Sequence, residues 1–286
     1  LTASASSHPP LAVPRTALVL AGERPGGNAL AKAHNSKSSL TLDLNGRPIF
    51  DWSLTAIKDS AIERIILIGP SADAASHPQF VSWLGKEMIE RVEPAEGPAA
   101  SAVKGSLAAN EWPLLLTAAD HALLRGTWID AFCAQAQESA EDSSTDLIVG
   151  LVNYARVHKR FPDSKRTLLK FSDGAYCGSN LFYLATPAAS DALSFWSTLE
   201  SQRKTPWKIA WGLGFGVCLR YFLGRLSVVD AFAVLSKRTG VSVGFCKLDE
   251  PELAVDVDSA ADLELASLVL RERMQFEQQL EQQVEG

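Results

Sequence analysis

From Thr16 onward, short continuous apolar runs alternate with stretches whose apolar positions recur at helical spacing. The runs Ala17–Ala21, Ile62–Ile68, Leu114–Ala118 and Asp146–Val152 read as buried strands, and Glu90–Val92 as a shorter one. Between them the pattern predicts helices over Pro48–Lys58, with Pro in the first turn, over Gly97–Asn110 and over Thr127–Gln137. Continuous apolar strands alternating with helices predict a mixed, mostly parallel α/β sheet covered on both faces. In such sheets ligands sit beyond the carboxyl ends of the strands, where Gly22 and Asp120 both fall. From Asp146 the texture changes, with Asp146–Val152 the first strand of the second part. A polar, cationic loop is expected over Asn153–Lys165, followed by β-type runs Thr167–Phe171 and Asn180–Leu184 around the turn Ser172-Asp173-Gly174. Helices follow at Ala188–Ser201, Trp207–Leu223 and Val228–Thr239, then a strand at Val241–Leu248 and the segment Leu253–Val257. The last helix runs from Ser259 to about Val284, apolar at first and rich in Gln and Glu at its end. There is no internal repeat.

Composition narrows the class. A length of 286 residues, 47% hydrophobic and 21% charged, suits a globular enzyme with one large domain, expected over 15–270. The Ser- and Pro-rich stretch 1–14 reads as a disordered lead-in, and 271–286 as a helical tail that is either solvated or self-associating. A net charge of −6 argues against a nucleic-acid binder. Cys133, Cys177, Cys218 and Cys246 are scattered and the five histidines dispersed, so no zinc site is visible and a reducing, cytoplasmic setting is expected.

The densest chemistry lies in Ala17–Phe50. A buried strand ends at Gly22, and the loop after it is rich in Gly, Pro and Asn and carries Arg24, Lys32 and Lys37. Apolar periodicity resumes at Leu40, Leu42 and Leu44, turns at Asn45-Gly46 and enters a helix at Pro48. Backbone N–H groups of a glycine loop can form an anion nest, and fixed cations neutralise phosphate oxygens. Neither common glycine motif for nucleotides is present. Asp120, directly after the Leu114–Ala118 run, is either a turn or capping residue or a ligand for Mg²⁺, which takes one or two carboxylates plus phosphate oxygens and water. Far along the chain, Asp256 and Asp258 share a strand face if extended, while Ser259 and Asp262 have the form of a helix cap.

The Ala17–Phe50 stretch resembles the signature of the MobA-like branch of nucleotidyltransferases of the glycosyltransferase-A type, roughly L-A-G-G-x-[SG]-x-R, a spacer, K-x-L, a short strand, G-x-P and a helix. The matching residues are Leu20-Ala21-Gly22, Arg24, Ser36-Lys37, Leu40 and Leu44-Asn45-Gly46-Arg47-Pro48-Ile49. Glu23 stands where a glycine is usual, and the spacer before Lys37 is longer than the common form. Thr117-Ala118-Ala119-Asp120 is similar to the family's T-x-x-D, and Ala254–Leu263 to its closing D-[IV]-[DN]-T-P-E-D-L element.

The resemblance implies a Rossmann-like, GT-A type fold with a helical C-terminal part, and a Mg²⁺-dependent transfer of a nucleoside monophosphate to a phosphorylated acceptor. Leu20, Ala21, Gly22 and Glu23, with Gly97 and Ser101 near the base, would bind the nucleotide. Lys37 and Arg24 would stabilise the transferring phosphoryl, and Asp120 and Asp258 would hold Mg²⁺. Arg166 and Asn180 would orient the acceptor, which is a phosphorylated small molecule or a lipid precursor. A nucleotide-sugar glycosyltransferase and a non-catalytic nucleotide-binding protein remain open beside this reading. So do three fates for the aromatic, basic segment Lys204–Arg238: core packing, a homodimer surface, or peripheral membrane contact. No spanning helix is expected there.

Overall fold

The computed structural model describes residues 13–23, 28–70, 72–201 and 214–285. The lead-in before Val13, Arg24, and Trp207 and Trp211 of the aromatic segment lie outside the described residues.

In chain order the strands are β1 (Thr16–Leu20), β2 (Asp43–Leu44), β3 (Arg47–Pro48), β4 (Arg64–Ile68), β5 (Ile89–Val92), β6 (Leu114–Ala118), β7 (Leu147–Asn153), β8 (Leu169–Phe171), β9 (Gly174–Leu184) and β10 (Val243–Leu248). The first helices are α1 (Ala29–Ala33), α2 (Ile49–Lys58), α3 (Ala72–Ala75), α4 (Pro78–Leu84), α5 (Pro98–Ala109) and α6 (Gly126–Ser143). Then come α7 (Tyr154–Arg160), α8 (Ala189–Ser201), α9 (Phe215–Phe222), α10 (Val228–Thr239) and α11 (Ala260–Glu285).

The main sheet has the order β10-β7-β9-β6-β1-β4-β5, with β8 paired to β9 outside that path. β1 pairs in parallel with β4 and β6, and β4 with β5. β9 runs antiparallel to both β6 and β7 and separates them. The central strands β1, β4 and β6 alternate their side chains between two cores, which is why their runs are almost wholly apolar. Ala17, Val19, Ile65, Leu67 and Leu115 join Phe50 and Leu54 of α2 and Ile129 and Phe132 of α6 on one face. Leu18, Ile66, Ile68, Leu114 and Leu116 meet Ala102 of α5 and Leu193 of α8 on the other.

Three local differences from the sequence reading have physical causes. The Leu40–Leu44 periodicity becomes a 3-10 turn (Ser39–Thr41) and a two-residue strand, whose hairpin with β3 turns at Asn45 and Gly46, both at positive φ. The long spacer before Lys37 holds α1, capped by Asn28, whose side chain accepts from Leu30 N–H at 2.8 Å. The expected cationic loop after β7 contains α7, because Asn153 caps it by accepting from Ala155 N–H. Its arginines are paired, Arg156 with Asp249 and Arg160 with Glu272.

Candidate active site

β1 delivers its carboxyl end between the ends of β4 and β6. Ala21 N–H donates to Ile68 O at 2.9 Å and Ala119 N–H donates to Leu20 O at 2.9 Å, so the ladder continues past the strand on both sides. Leu20 and Ala21 thereby fix the exit of the loop, and Gly22 is exposed just beyond them. Gly69 closes this end. Its φ is +90°, and a Cβ there would lie 2.9 Å from the Ala21 carbonyl carbon and from Gly22 N. The residue read from sequence as a strand stop is thus a contact point for the loop backbone.

A second loop, 93–97, stands across from Gly22, where an added Cβ would lie 3.4 Å from Pro94 Cβ. Gly97 leads into α5 at φ 101°. Ser101 is buried, and its hydroxyl accepts from Ala95 N–H at 2.9 Å. It therefore braces the 93–97 loop from beneath, and that loop leads to the Gly97 that the sequence reading set near the base. Glu23 is half-buried, and its Oε1 is buried without a hydrogen-bond partner among the described residues.

Lys37 is exposed at the crown of a turn built by hydroxyls. Ser36 Oγ donates to Ser38 O at 2.8 Å, Ser38 Oγ accepts from Leu40 N–H at 3.2 Å, and Asn28 donates to Ser39 Oγ at 3.1 Å. A tight polar knot thus fixes the backbone around Lys37.

Asp120 follows β6, half-buried. Its carbonyl accepts from Val257 N–H at 3.1 Å and from Ala122 N–H at 3.0 Å. That one bond to Val257 brings the closing acidic segment, more than a hundred residues away in sequence, against the end of β6. The two carboxylates flanking Val257 then part company. Asp256 accepts from Arg166 Nη1 at 3.0 Å, while Asp258 is exposed. Burial, with the Asp258 charge behind it, pushes the Asp256 carboxyl upward, and Arg166 pulls the other way.

Arg166 itself departs from the expectation of an open acceptor cation. Its side chain is 6% exposed and its Nη2 donates to Asp262 at 2.5 Å, while Nε donates to Ser164. Ser259 Oγ donates to the other oxygen of Asp262 at 2.6 Å. The clamp Asp256–Arg166–Asp262 fastens the closing segment to the start of α11. Sequence reading saw its members singly, and the pairing has no local signature.

Asn180 occupies a bulge in β9. Opposite β7 the register passes from Val149↔Phe182 to Leu151↔Gly178, and Asn180 takes φ +52°. Ser179 folds over Gly150, its Oγ donating to Gly150 O at 2.9 Å. A Cβ on Gly150 would lie 2.4 Å from that Oγ. An isolated glycine inside a strand pattern was the available signal. Since β6 pairs with β9 up to Leu116↔Phe182, Asn180 lies on the β6 side of the sheet end that carries Asp120.

His121, next to Asp120, is fully buried and pushed down to about 4 by that burial, with the Arg273 charge adding to it and the backbone of Glu252 and Leu253 opposing. It is neutral at physiological pH. Among the described residues, no group of three or more His, Cys, Asp or Glu side chains is placed to hold a metal ion. The remaining donor set, Asp120 with Asp258, is two hard carboxylates, which fits Mg²⁺ completed by phosphate oxygens and water and does not fit zinc.

Residues 17–150 match the model of the MobA-like NTP transferase domain. Among solved structures, one described as a hypothetical transferase from Thermus thermophilus is 25% identical, with a TM-score of 0.69 over 87% of this chain and 99% of that one. CMP:2-keto-3-deoxy-manno-octonic acid synthetase complexed with CTP shares the fold at 10% identity, with a TM-score of 0.57 over 91% and 99% of the two chains. So does 4-diphosphocytidyl-2C-methyl-D-erythritol synthase from Anaerococcus prevotii, at 10% identity and a TM-score of 0.53 over 90% and 95%. No curated protein matches the sequence.

Proposed function

With residues 17–150 matching the MobA-like NTP transferase domain, we propose that this protein is a Mg²⁺-dependent nucleotidyltransferase. It joins a nucleoside monophosphate from a triphosphate to a phosphorylated acceptor and releases pyrophosphate. The observation that carries this reading is the convergence of the Gly22 loop, Asp120 and the 256–258 segment at the carboxyl ends of β1 and β6.

The nucleotide lies on the exposed side of Gly22 and of the 93–97 loop packed beside it, and the absence of a side chain at Gly22 allows close approach. Lys37, and Arg24 with it, stabilise charge developing on the α-phosphoryl oxygens. Asp120 and Asp258 would hold Mg²⁺, which would supply charge neutralisation at the phosphate oxygens and at the pyrophosphate leaving group. The division of labour between Asp256 and Asp258 supports this, since only Asp258 is not engaged by Arg166. A phosphate monoester acceptor, with its second pKa near ~6, is already deprotonated at neutral pH and needs no general base. Burial of His121 beside Asp120 agrees with chemistry that uses none. Asn180, able to donate and accept, orients the acceptor from the β9 bulge.

The test is thermal stabilisation by ATP, GTP, CTP and UTP, each with and without Mg²⁺, for wild type, Asp120→Ala and Asp258→Asn. A ligand that binds only the native state raises apparent stability by mass action. One triphosphate is expected to shift the melt in a manner that needs Mg²⁺ and both carboxylates, and pyrophosphate release with phosphorylated acceptors then follows. No shift with any triphosphate would sink the reading. A shift by a nucleotide-sugar alone would point to glycosyl transfer. Binding without pyrophosphate release across acceptors would favour a non-catalytic nucleotide-binding protein, with Glu23 in the phosphate loop as its cause.

A further inference from the structure

Helix α9 buries none of its residues. Phe215, Leu219, Phe222 and Leu223 are 75%, 48%, 84% and 58% exposed. At 3.6 residues per turn these four fall within an arc of about 100°. Single exposed leucines are ordinary on a protein surface, whereas four large apolar side chains on one helix face are not. The opposite side of the helix is docked. Tyr221 meets the Phe171 ring edge-on with centroids 6.0 Å apart, and its hydroxyl accepts from Lys170 N–H at 3.2 Å.

Cations bracket the stripe. At the start of α9, a Cβ on Gly214 would stand 2.7 Å from Arg238 Nη2, so that guanidinium sits over the first turn. At the other end are Arg220, bonded to Asp230 at 2.6 Å, and exposed Arg225, whose N–H donates to Arg220 O. Residues 214–240 hold Arg220, Arg225, Lys237 and Arg238 against the single acid Asp230, in a chain of net charge −6.

We propose that the exposed face of α9 is a docking surface for an anionic lipid membrane, independently of the transfer reaction. Phe and Leu side chains enter the headgroup–acyl boundary while the flanking guanidinium groups meet lipid phosphates. A second copy of the chain fits less well. An eight-residue helix is only about 12 Å long, and a stable pair of proteins needs on the order of 800 Å² buried per partner. A membrane sets no such requirement. No helix among the described residues is long and apolar enough to cross a bilayer, so the contact is peripheral. The docked side of the helix lies beside the β8–β9 hairpin, and Asn180 is six residues up β9 from Gly174, about 20 Å along the strand.

The experiment is cosedimentation of the full chain with vesicles of phosphatidylcholine alone and of equal parts phosphatidylcholine and phosphatidylglycerol, at low and high salt. Wild type is compared with Phe215→Ser/Phe222→Ser and with Arg225→Glu/Arg238→Glu. Thermal melts of both variants control for folding. Wild type is expected to partition onto the anionic vesicles, with about a tenfold loss for either double variant and a marked loss at high salt. Equal partitioning of wild type and the Phe variant overturns the proposal, as does failure of wild type to bind anionic vesicles or equal binding to both vesicle types. Light scattering that shows a dimer dissolved by the Phe substitutions also overturns it, in favour of an interface between copies.

Discussion

Arg166 forms two ion pairs and a hydrogen bond with a nearly buried guanidinium, and removing it leaves Asp256 and Asp262 facing each other without a cation. Breaking a buried pair by deleting one partner costs about 3–5 kcal/mol. Arg166→Ala is expected to lose that much in urea denaturation. Arg166→Lys should recover only part of it, because an ammonium cannot present the planar fork that serves two carboxylates at once. At this scale the sequence was half legible. It marked Arg166, Asp256, Asp258 and Ser101 as polar residues near chemistry, but Arg166 meets Asp256, 90 positions along the chain, only once the fold has formed.

At the scale of elements, β9 carries Asn180, the residue proposed above to orient the acceptor. Its bulge exists because Gly150 leaves room for Ser179, and Asn180 takes its left-handed conformation inside that bulge. Gly150→Ala is expected to push Ser179 outward and shift Asn180. The measurable consequence is a rise in acceptor KM of about tenfold, with triphosphate-induced thermal stabilisation retained, since a misplacement near 1 Å is enough to weaken positioning. A loss of triphosphate stabilisation of equal size would show that the bulge also supports the nucleotide loop. Both parts of this element were partly visible as an interior glycine and an Asn-containing strand start. The antiparallel insertion of β9 between β6 and β7 was not, because an apolar run carries no direction.

Across the whole molecule, α11 ties distant parts of the site together. Asn45 of the β2–β3 hairpin donates to Ser267 O at 2.9 Å, and Arg273 donates to Leu123 O at 2.8 Å in the loop after Asp120. His121 is sealed inside this closure. Unfolded, its imidazole binds a proton near 6.5, whereas folded it does so only near 4. The unfolded chain therefore takes up the proton first, and stability falls as pH drops from about 6.5 to 4, by on the order of 3 kcal/mol from this group. Urea midpoints measured between neutral pH and pH 4 should show this slope, and His121→Leu should flatten it whatever its own stability. An unchanged slope in the variant would place the acid sensitivity elsewhere.

Local pattern was sufficient for the strands β1, β4 and β6, the glycine exit at Gly22, the Asn45-Gly46 turn and the position of Asp120 at a strand end. Each depends on side-chain period or on backbone freedom within a few residues, and both are written in the chain itself. Tertiary structure alone decided which acidic residue Arg166 engages and which stays open. It also turned Ser101 beneath its loop, and it left the face of α9 exposed. Those outcomes depend on partners brought together through space, where burial and charge are set by what else arrives.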